Sequence, residues 1–305
     1  MPAFVPAPDA PARTVLGDVA EPSPAPNEAL VTVEAYSVNR GEIFLLEAPR
    51  DGWRPGQDVA GRVERAAADG SGPAVGTRVV AHVPAGGWAQ RVAAPTDALA
   101  ALPDAVATTA ASTLGVAGLT ALRLLREAGS VAGRRVLLTG ASGGVGHFVV
   151  ELAAAQGALV TAVSSSPERG ERLLALGAAE VVPDVESSEA PFDLVLESVG
   201  GASLTSALAR VASRGKLIWF GQASREPGTL DFSVAPAATF ASIVPFIYWR
   251  TGASDADDLA TLVRLVDGGR LHPEIGLVAN WRETPDALIA LRDRRVRGNA
   301  VLTVG

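Results

Sequence analysis

The sequence predicts an α/β protein: a doubly wound parallel sheet joined to a β-rich domain. Three observations carry this. Residues 134–146, RRVLLTGASGGVG, run a strand straight into a glycine turn and a helix start. From Arg134 onward, short apolar runs alternate with helical patterns. Before Pro103 the chain shows short strands punctuated by Gly and Pro.

In chain order, residues 28–38 and 58–66 read as strands, and 74–94, AVGTRVVAHVPAGGWAQRVAA, as two more around a Gly86-Gly87 turn. This half suggests a small barrel or sandwich. Residues 105–128 carry one long Ala/Leu helical pattern. Strands then fall near 134–139, 158–164, 180–182, 193–197 and 215–220, with helices between them, which implies a parallel sheet covered on both faces. The most apolar stretch is 233–249, SVAPAATFASIVPFIYW. Pro236 and Pro245 interrupt it, it falls short of a membrane span, and it reads as a buried helix or an oligomer contact. A helix at 255–267, a strand at 275–280, a helix at 284–294 and a strand at 300–304 follow, the last expected to rejoin the N-terminal half. The expected domains are therefore 1–107, 108–250 and a return segment 251–305 that completes the first.

The glycine turn carries chemistry. Val136, Leu137 and Leu138 are apolar without alternation, as a buried parallel strand requires. The motif is AxGxxG, with Ala141 in the first glycine position. Gly140 permits the tight turn, Gly143 lets a pyrophosphate approach the backbone, and Gly146 lets helix and strand pack closely. The helix start, with Ser142, Gly144 and Val145, offers N–H groups and a positive dipole end to phosphates. A chain that selects NAD carries Asp or Glu about 20 residues past the glycines. Here the second strand ends in Ser164, Ser165, Ser166, Pro167, Glu168 and Arg169. Hydroxyls and a guanidinium suit a 2′-phosphate, so NADP(H) is the expected cofactor. The serines equally suit an N-cap before a helix at 167–176.

Composition narrows the partners. At 305 residues the chain suits two domains, and 48% hydrophobic residues with mean hydropathy +0.25 suffice for sizeable cores. A net charge of −7 and a pI near 5.1 argue against nucleic acid and anionic membranes. Without cysteine there are no disulfides, thiolate ligands or nucleophilic thiols, which fits a reducing cytoplasm. The N-terminal MPAFVPAPDAPARTV lacks the pattern of a signal peptide. Lys216 is the only lysine among 26 basic residues.

Taken together, YSVNRGE at 36–42, PGQDVAGRV at 55–63, VGTRV at 75–79, GGWAQ at 86–90, VAGLTAL at 116–122, the glycine turn, LGAAEVV, FDLVLESVGG at 192–201, GKLIWFG at 215–221 and GNAVLTV at 298–304 resemble the medium-chain dehydrogenase/reductase superfamily. The closest likeness is its zinc-free quinone oxidoreductase branch, which includes enoyl reductases. The resemblance implies a GroES-like barrel domain split around a Rossmann domain, with the active site in the cleft between them. It also implies hydride transfer from NADPH to a quinone or an α,β-unsaturated carbonyl compound, and a homodimer. Alternatives are a pathway-specific enoyl reductase of the polyketide-tailoring type and a non-catalytic NADPH-binding protein. Zinc-dependent relatives place Cys and His where this chain has Asn39 and Gln57, with Asp58 matching a nearby acidic residue, and the structural-zinc loop is missing. Neutral amides are poor zinc ligands, and His82, His147 and His272 are scattered, so no metal is expected.

The resemblance also assigns residues. Asn39 falls beside the nicotinamide and offers a donor to the acceptor carbonyl. Arg40 is a second possible donor, and Glu42 would orient either. Trp53, Gln57 and Tyr248 are assigned to the substrate cleft, although Tyr36 and Tyr248, the only tyrosines, also suit a core. Thr120, Ser198, Val199, Phe220, Gly221, Arg294 and Asn299 are further cofactor contacts, with Asn299 lacking the positive charge found in relatives. Pro183-Asp184 stands where relatives carry a tyrosine.

Overall fold

The computed structural model describes residues 1–189, 191–230 and 240–305. The chain divides into two units, Met1–Leu119 with Ala253–Gly305, and Thr120–Gly252.

The first unit begins with β1 (Pro2–Pro6) and β2 (Thr14–Asp18), an antiparallel pair the sequence reading did not foresee. β3 (Glu28–Val38) is its organising strand and leads through Asn39 into α1 (Arg40–Glu47). β4 (Asp58–Arg65), β5 (Arg78–His82), β6 (Arg91–Pro95) and β7 (Leu99–Ala101) follow, then α2 (Thr108–Ala111). β3 pairs antiparallel with both β4 and β6, and β5 pairs with β4 and β7.

The single helix expected over 105–128 is broken. After α2 comes a π-helical turn, Leu114–Gly118, and then α3 (Leu119–Ala128). The cause is Asp58: its Oδ1 accepts the Val116 N–H at 2.7 Å, and a Cβ at Gly115 would lie 2.1 Å from that oxygen. A carboxylate that takes a helix N–H forces the ladder to re-register around it. α2 and the π turn also pack on β3, β4 and β5. That packing places residues 108–119 in the first unit, where the sequence reading began the second at 108.

The second unit alternates strand and helix: β8 (Arg135–Leu138), α4 (Gly144–Ala155), β9 (Leu159–Val163), α5 (Pro167–Ala175), β10 (Glu180–Val182), β11 (Phe192–Glu197), α6 (Gly201–Leu208), β12 (Val211–Trp219) and β13 (Ser242–Pro245). The strands are all parallel, in the order β10-β9-β8-β11-β12-β13. This is the 3-2-1-4-5-6 order of the dinucleotide-binding fold, whose order reverses between β8 and β11. β13 corrects the helix alternative for 233–249. Ile243 and Val244 are β-branched and extend the sheet beside Leu217 and Ile218; residues 233–239 of that stretch lie outside the described ones.

α7 (Asp255–Asp267), β14 (Ile275–Asn280), α8 (Thr284–Arg292) and β15 (Asn299–Thr303) complete the first unit. β15 pairs antiparallel with β3 and parallel with β14, so the terminal strand does rejoin the N-terminal half. The result is a seven-stranded sheet. Its core holds Phe4, Tyr36, Trp88 and Trp281, with Tyr36 stacked on Trp88 at 6.0 Å. The second unit has its own core around Leu137, Phe192, Val195 and Leu217. No helix among the described residues is long and apolar enough to cross a membrane.

Candidate functional site

The second unit carries a dinucleotide turn. Gly140 has φ +63°, a conformation that favours glycine. A Cβ at residue 146 would lie 2.3 Å from the Ala141 carbonyl oxygen, so α4 can approach β8 only with glycine there. α4 opens at Gly144 with Gly143 as its N-cap. Ser142, Gly143, Gly144 and Val145 are half-buried, and the first N–H groups of the helix lack intrahelical partners. These residues fit a pyrophosphate. His147 turns inward, with Nδ1 2.9 Å from the Gly143 carbonyl, and is buried.

At the carboxyl end of β9, Ser165 is exposed and Ser166 and Arg169 are half-buried. Ser166 Oγ accepts the Arg169 N–H at 3.4 Å as the N-cap of α5, so the capping reading of the serines holds for Ser166. Ser164 is buried and donates to the Ser166 carbonyl. Thr120 is buried in α3.

The carboxyl ends of β8, β11 and β12 meet through a residue the sequence reading missed. Glu197 ends β11 and is fully buried. It accepts from Thr139 Oγ1, the Val199 and Gly200 N–H groups and Ser203 Oγ at 3.0–3.1 Å. Ser198 Oγ donates to the Thr139 carbonyl at 3.1 Å. Phe220 donates its N–H to the Glu197 carbonyl, and a Cβ at Gly221 would lie 2.8 Å from the Ser198 carbonyl oxygen. A carboxylate closing an apolar strand just before Gly200-Gly201 was the available signal.

The first unit gathers Asn39, Glu42 and Gln57 around Asp58. Asn39 and Glu42 are the N-cap and N3 residues of a capping box, in which Glu42 Oε2 accepts the Asn39 N–H at 2.9 Å. Glu42 Oε1 accepts the N–H groups of Gly56 and Gln57 at 3.0 Å. Burial, reinforced by Asp58, pushes the Glu42 carboxyl up to about 8. Both Glu42 oxygens are therefore spent inside the fold, and the residue positions Asn39 and Gln57 rather than touching a substrate. Asp58 is buried, which raises its carboxyl; Ser37 Oγ donates to its Oδ2 at 2.6 Å and Asn39 Nδ2 at 2.7 Å. Asn39 Nδ2 also lies 3.3 Å from Ser37 Oγ. One amide hydrogen is thus held firmly and the other loosely.

Several assigned residues are placed differently from expectation. Arg40 Nη2 donates to the Leu291 carbonyl at 3.0 Å, at the end of α8, where a guanidinium meets carbonyls left open by the helix. Asn299 is buried in β15, and its Nδ2 and backbone N–H both donate to the Glu274 carbonyl. That removes it from phosphate binding. Arg294 is exposed in the left-handed region, φ +58°, just past α8. Tyr36 is fully buried with its hydroxyl 2.6 Å from Thr284 Oγ1, and burial pushes that hydroxyl above its ordinary range. Tyr248, in the second unit, is buried edge-on to Trp249. Trp53 packs on the first unit's core and also lines a groove of about 430 Å³ with Val5, Pro6, Arg50 and Arg54.

Among the described residues, no group of three or more His, Cys, Asp or Glu could hold a metal ion. His82 instead meets Asp255, Nδ1 to Oδ2 at 2.7 Å.

Two family models match: the alcohol dehydrogenase GroES-like domain over residues 25–104 and the zinc-binding dehydrogenase over 144–267. A quinone oxidoreductase of Pongo abelii is 29% identical over 85% of this chain and 83% of its own. The solved quinone oxidoreductase of Pseudomonas syringae superposes with TM-score 0.88 at 25% identity, covering 99% of each chain. A mycobacterial protein solved with NADPH superposes with TM-score 0.90 at 25% identity, over 99% of this chain and 100% of its own. With both domains matched in order and both units folded as those relatives fold, the chain belongs to the medium-chain dehydrogenase/reductase superfamily, on its zinc-free quinone oxidoreductase branch.

Proposed function

We propose that this protein is an NADPH-dependent reductase that delivers hydride to a quinone or an α,β-unsaturated carbonyl compound without a metal. The observation that carries the proposal is the Gly140–Gly146 turn at the order reversal of a 3-2-1-4-5-6 sheet. It stands in a chain whose relatives include quinone oxidoreductases and a structure solved with NADPH. Gly143, Gly144, Val145 and Ser142 would hold the pyrophosphate, and Ser165, Ser166 and Arg169 the 2′-phosphate. Thr120, Ser198, Val199, Phe220 and Gly221 would line the nicotinamide half. Bound NADPH would supply hydride.

Reduction loads negative charge onto the acceptor oxygen, and a preorganised donor there lowers the barrier. Asn39 is the donor in this reading. Asp58 fixes its amide through one hydrogen, and the second is offered to the carbonyl. Glu42 sets the Asn39 backbone, and Gln57 and Trp53 serve the acceptor side. The Asn39 and Gln57 amides at the metal-ligand positions support a metal-free reaction.

The same reading includes a homodimer. β13 is an outer strand of its sheet, and Phe240, Ile243, Ile247 and Trp249 around it are exposed. An apolar strand edge of this kind invites pairing with another copy.

NADPH consumption with a panel of simple quinones and enones tests the proposal. Turnover with either class, faster with NADPH than with NADH, is expected. Activity confined to enoyl thioesters would favour the pathway-specific enoyl reductase, and tight NADPH binding without any turnover would favour a non-catalytic nucleotide-binding protein.

A further inference from the structure

We propose that Glu197 is a positioning residue for the dinucleotide turn. It ends the apolar run FDLVLE and is fully buried. A buried carboxylate is costly unless donors surround it, and here they do. Oε1 accepts from Thr139 Oγ1 at 3.1 Å, the Val199 N–H at 3.0 Å and Ser203 Oγ at 3.0 Å. The Gly200 N–H reaches Oε2 at 3.0 Å and Oε1 at 3.2 Å.

These donors belong to separate pieces of the fold. Thr139 ends the β8 segment and immediately precedes Gly140. Val199 and Gly200 form the turn after β11, where Gly200 and Gly201 have φ +76° and +55°. Ser203 lies in the first turn of α6. Thr139 Oγ1 passes the connection on, because it accepts the Ser198 N–H at 2.9 Å while donating to Glu197. Ser198 Oγ then donates to the Thr139 carbonyl, and a Cβ at Gly140 would lie only 2.4 Å from Ser198 Oγ. One carboxylate therefore sets the spacing between the phosphate-binding turn and the 198–200 turn, across the point where the strand order reverses. Charge-assisted bonds are the stronger kind, and a point charge at the N-terminus of α6 is favoured by the helix dipole.

The backbone donors cannot be rotated away. Glu197→Gln keeps size and shape, but with its carbonyl oxygen in the Oε1 position it turns an NH₂ group toward the Gly200 N–H, which can only donate. The turn must then open, and the cradle for the pyrophosphate opens with it. Glu197→Asp keeps the charge and can recover part of the network.

The inference rests on NADPH as the ligand and not on the identity of the acceptor. Its test is NADPH affinity by fluorescence titration of the full chain. The thermal midpoint without nucleotide and the rate at saturating NADPH are measured alongside. Glu197→Gln is expected to weaken NADPH about tenfold, the scale of a lost charge-assisted bond. The loss should fall more heavily on NADPH affinity than on the saturated rate, and Glu197→Asp should restore part of the affinity. A folded Glu197→Gln protein that binds NADPH as tightly as the parent overturns the inference. If that variant does not fold, Thr139→Val decides. It removes the bridging hydroxyl alone and should weaken NADPH about threefold with the midpoint nearly unchanged; unchanged affinity would contradict the role. A parent chain that fails to bind NADPH would instead defeat the proposed function.

Discussion

At the residue scale the first site turns on how Asn39 is held. Asp58 and Glu42 fix its side chain and its backbone N–H respectively. Asn39→Ala should therefore lower kcat by the equivalent of about 2–4 kcal/mol, the scale of losing one preorganised donor, with NADPH affinity little changed. Electron-poor quinones should suffer less than enones; steady-state kinetics on both classes check this. Arg169→Ala should weaken NADPH by about 1–2 kcal/mol and leave NADH nearly unchanged, and equal losses for both nucleotides would remove the 2′-phosphate assignment. Glu42 gives a pH signature. Its carboxyl is about 8 in the fold against 4.5 free, so the folded state holds a proton that the unfolded chain releases between those values. Its contribution to stability is present below pH ~4.5 and is lost as pH rises toward ~8. The thermal midpoint of the parent minus that of Glu42→Gln should therefore fall across this window; a constant difference would contradict it. Asn39 and Glu42 were legible from YSVNRGE, whose last four residues, Asn39 to Glu42, form a local cap. Their partner Ser37–Asp58 was not, because that contact joins β3 to the start of β4 and exists only once the strands pair. Arg40 and Asn299 misled for the same reason. Each looks available in sequence, yet each is claimed by a carbonyl distant along the chain or buried beside it.

Period and punctuation are what a sequence displays at the scale of elements. β8, the glycine turn and α4 were readable because the turn needs glycine at 140 and 146 for steric reasons that leave little choice. The continuous helix over 105–128 was not, since its Ala/Leu pattern carries no trace of a carboxylate arriving from another strand. Asp58 takes the Val116 N–H within the π turn that separates α2 from α3. β13 was hidden differently: four residues are too short for a period to show, and Pro245 argues against a central strand but suits an outer one. That outer position leads to a prediction. Ile243 is exposed on β13, and Phe240 and Trp249, close to it in the chain, are exposed too. Ile243→Lys should shift the protein from dimer to monomer in light scattering coupled to size exclusion. The thermal midpoint should change little at protein concentrations where the parent is also monomeric. A parent chain that is monomeric at every concentration would refute the dimer.

For the whole molecule, the alternation after Arg134 and the short strands before Pro103 were enough to foresee two units of different class, because each class has its own period. The division between the units falls after Leu119 and not after residue 107, because α2 and the π turn are helical yet pack on β3, β4 and β5. The proposed activity is hydride transfer from NADPH to a conjugated carbonyl acceptor, and isotope transfer to an enone follows that hydride. The protein is incubated with an enone and NADPH carrying deuterium at the nicotinamide C4 position, and the product is examined by NMR. The account predicts deuterium from one face of the nicotinamide at the β-carbon of the saturated ketone, with the α-hydrogen drawn from solvent. Deuterium retained in the nucleotide, with the enone and a simple quinone both left unreduced despite tight NADPH binding, would contradict it.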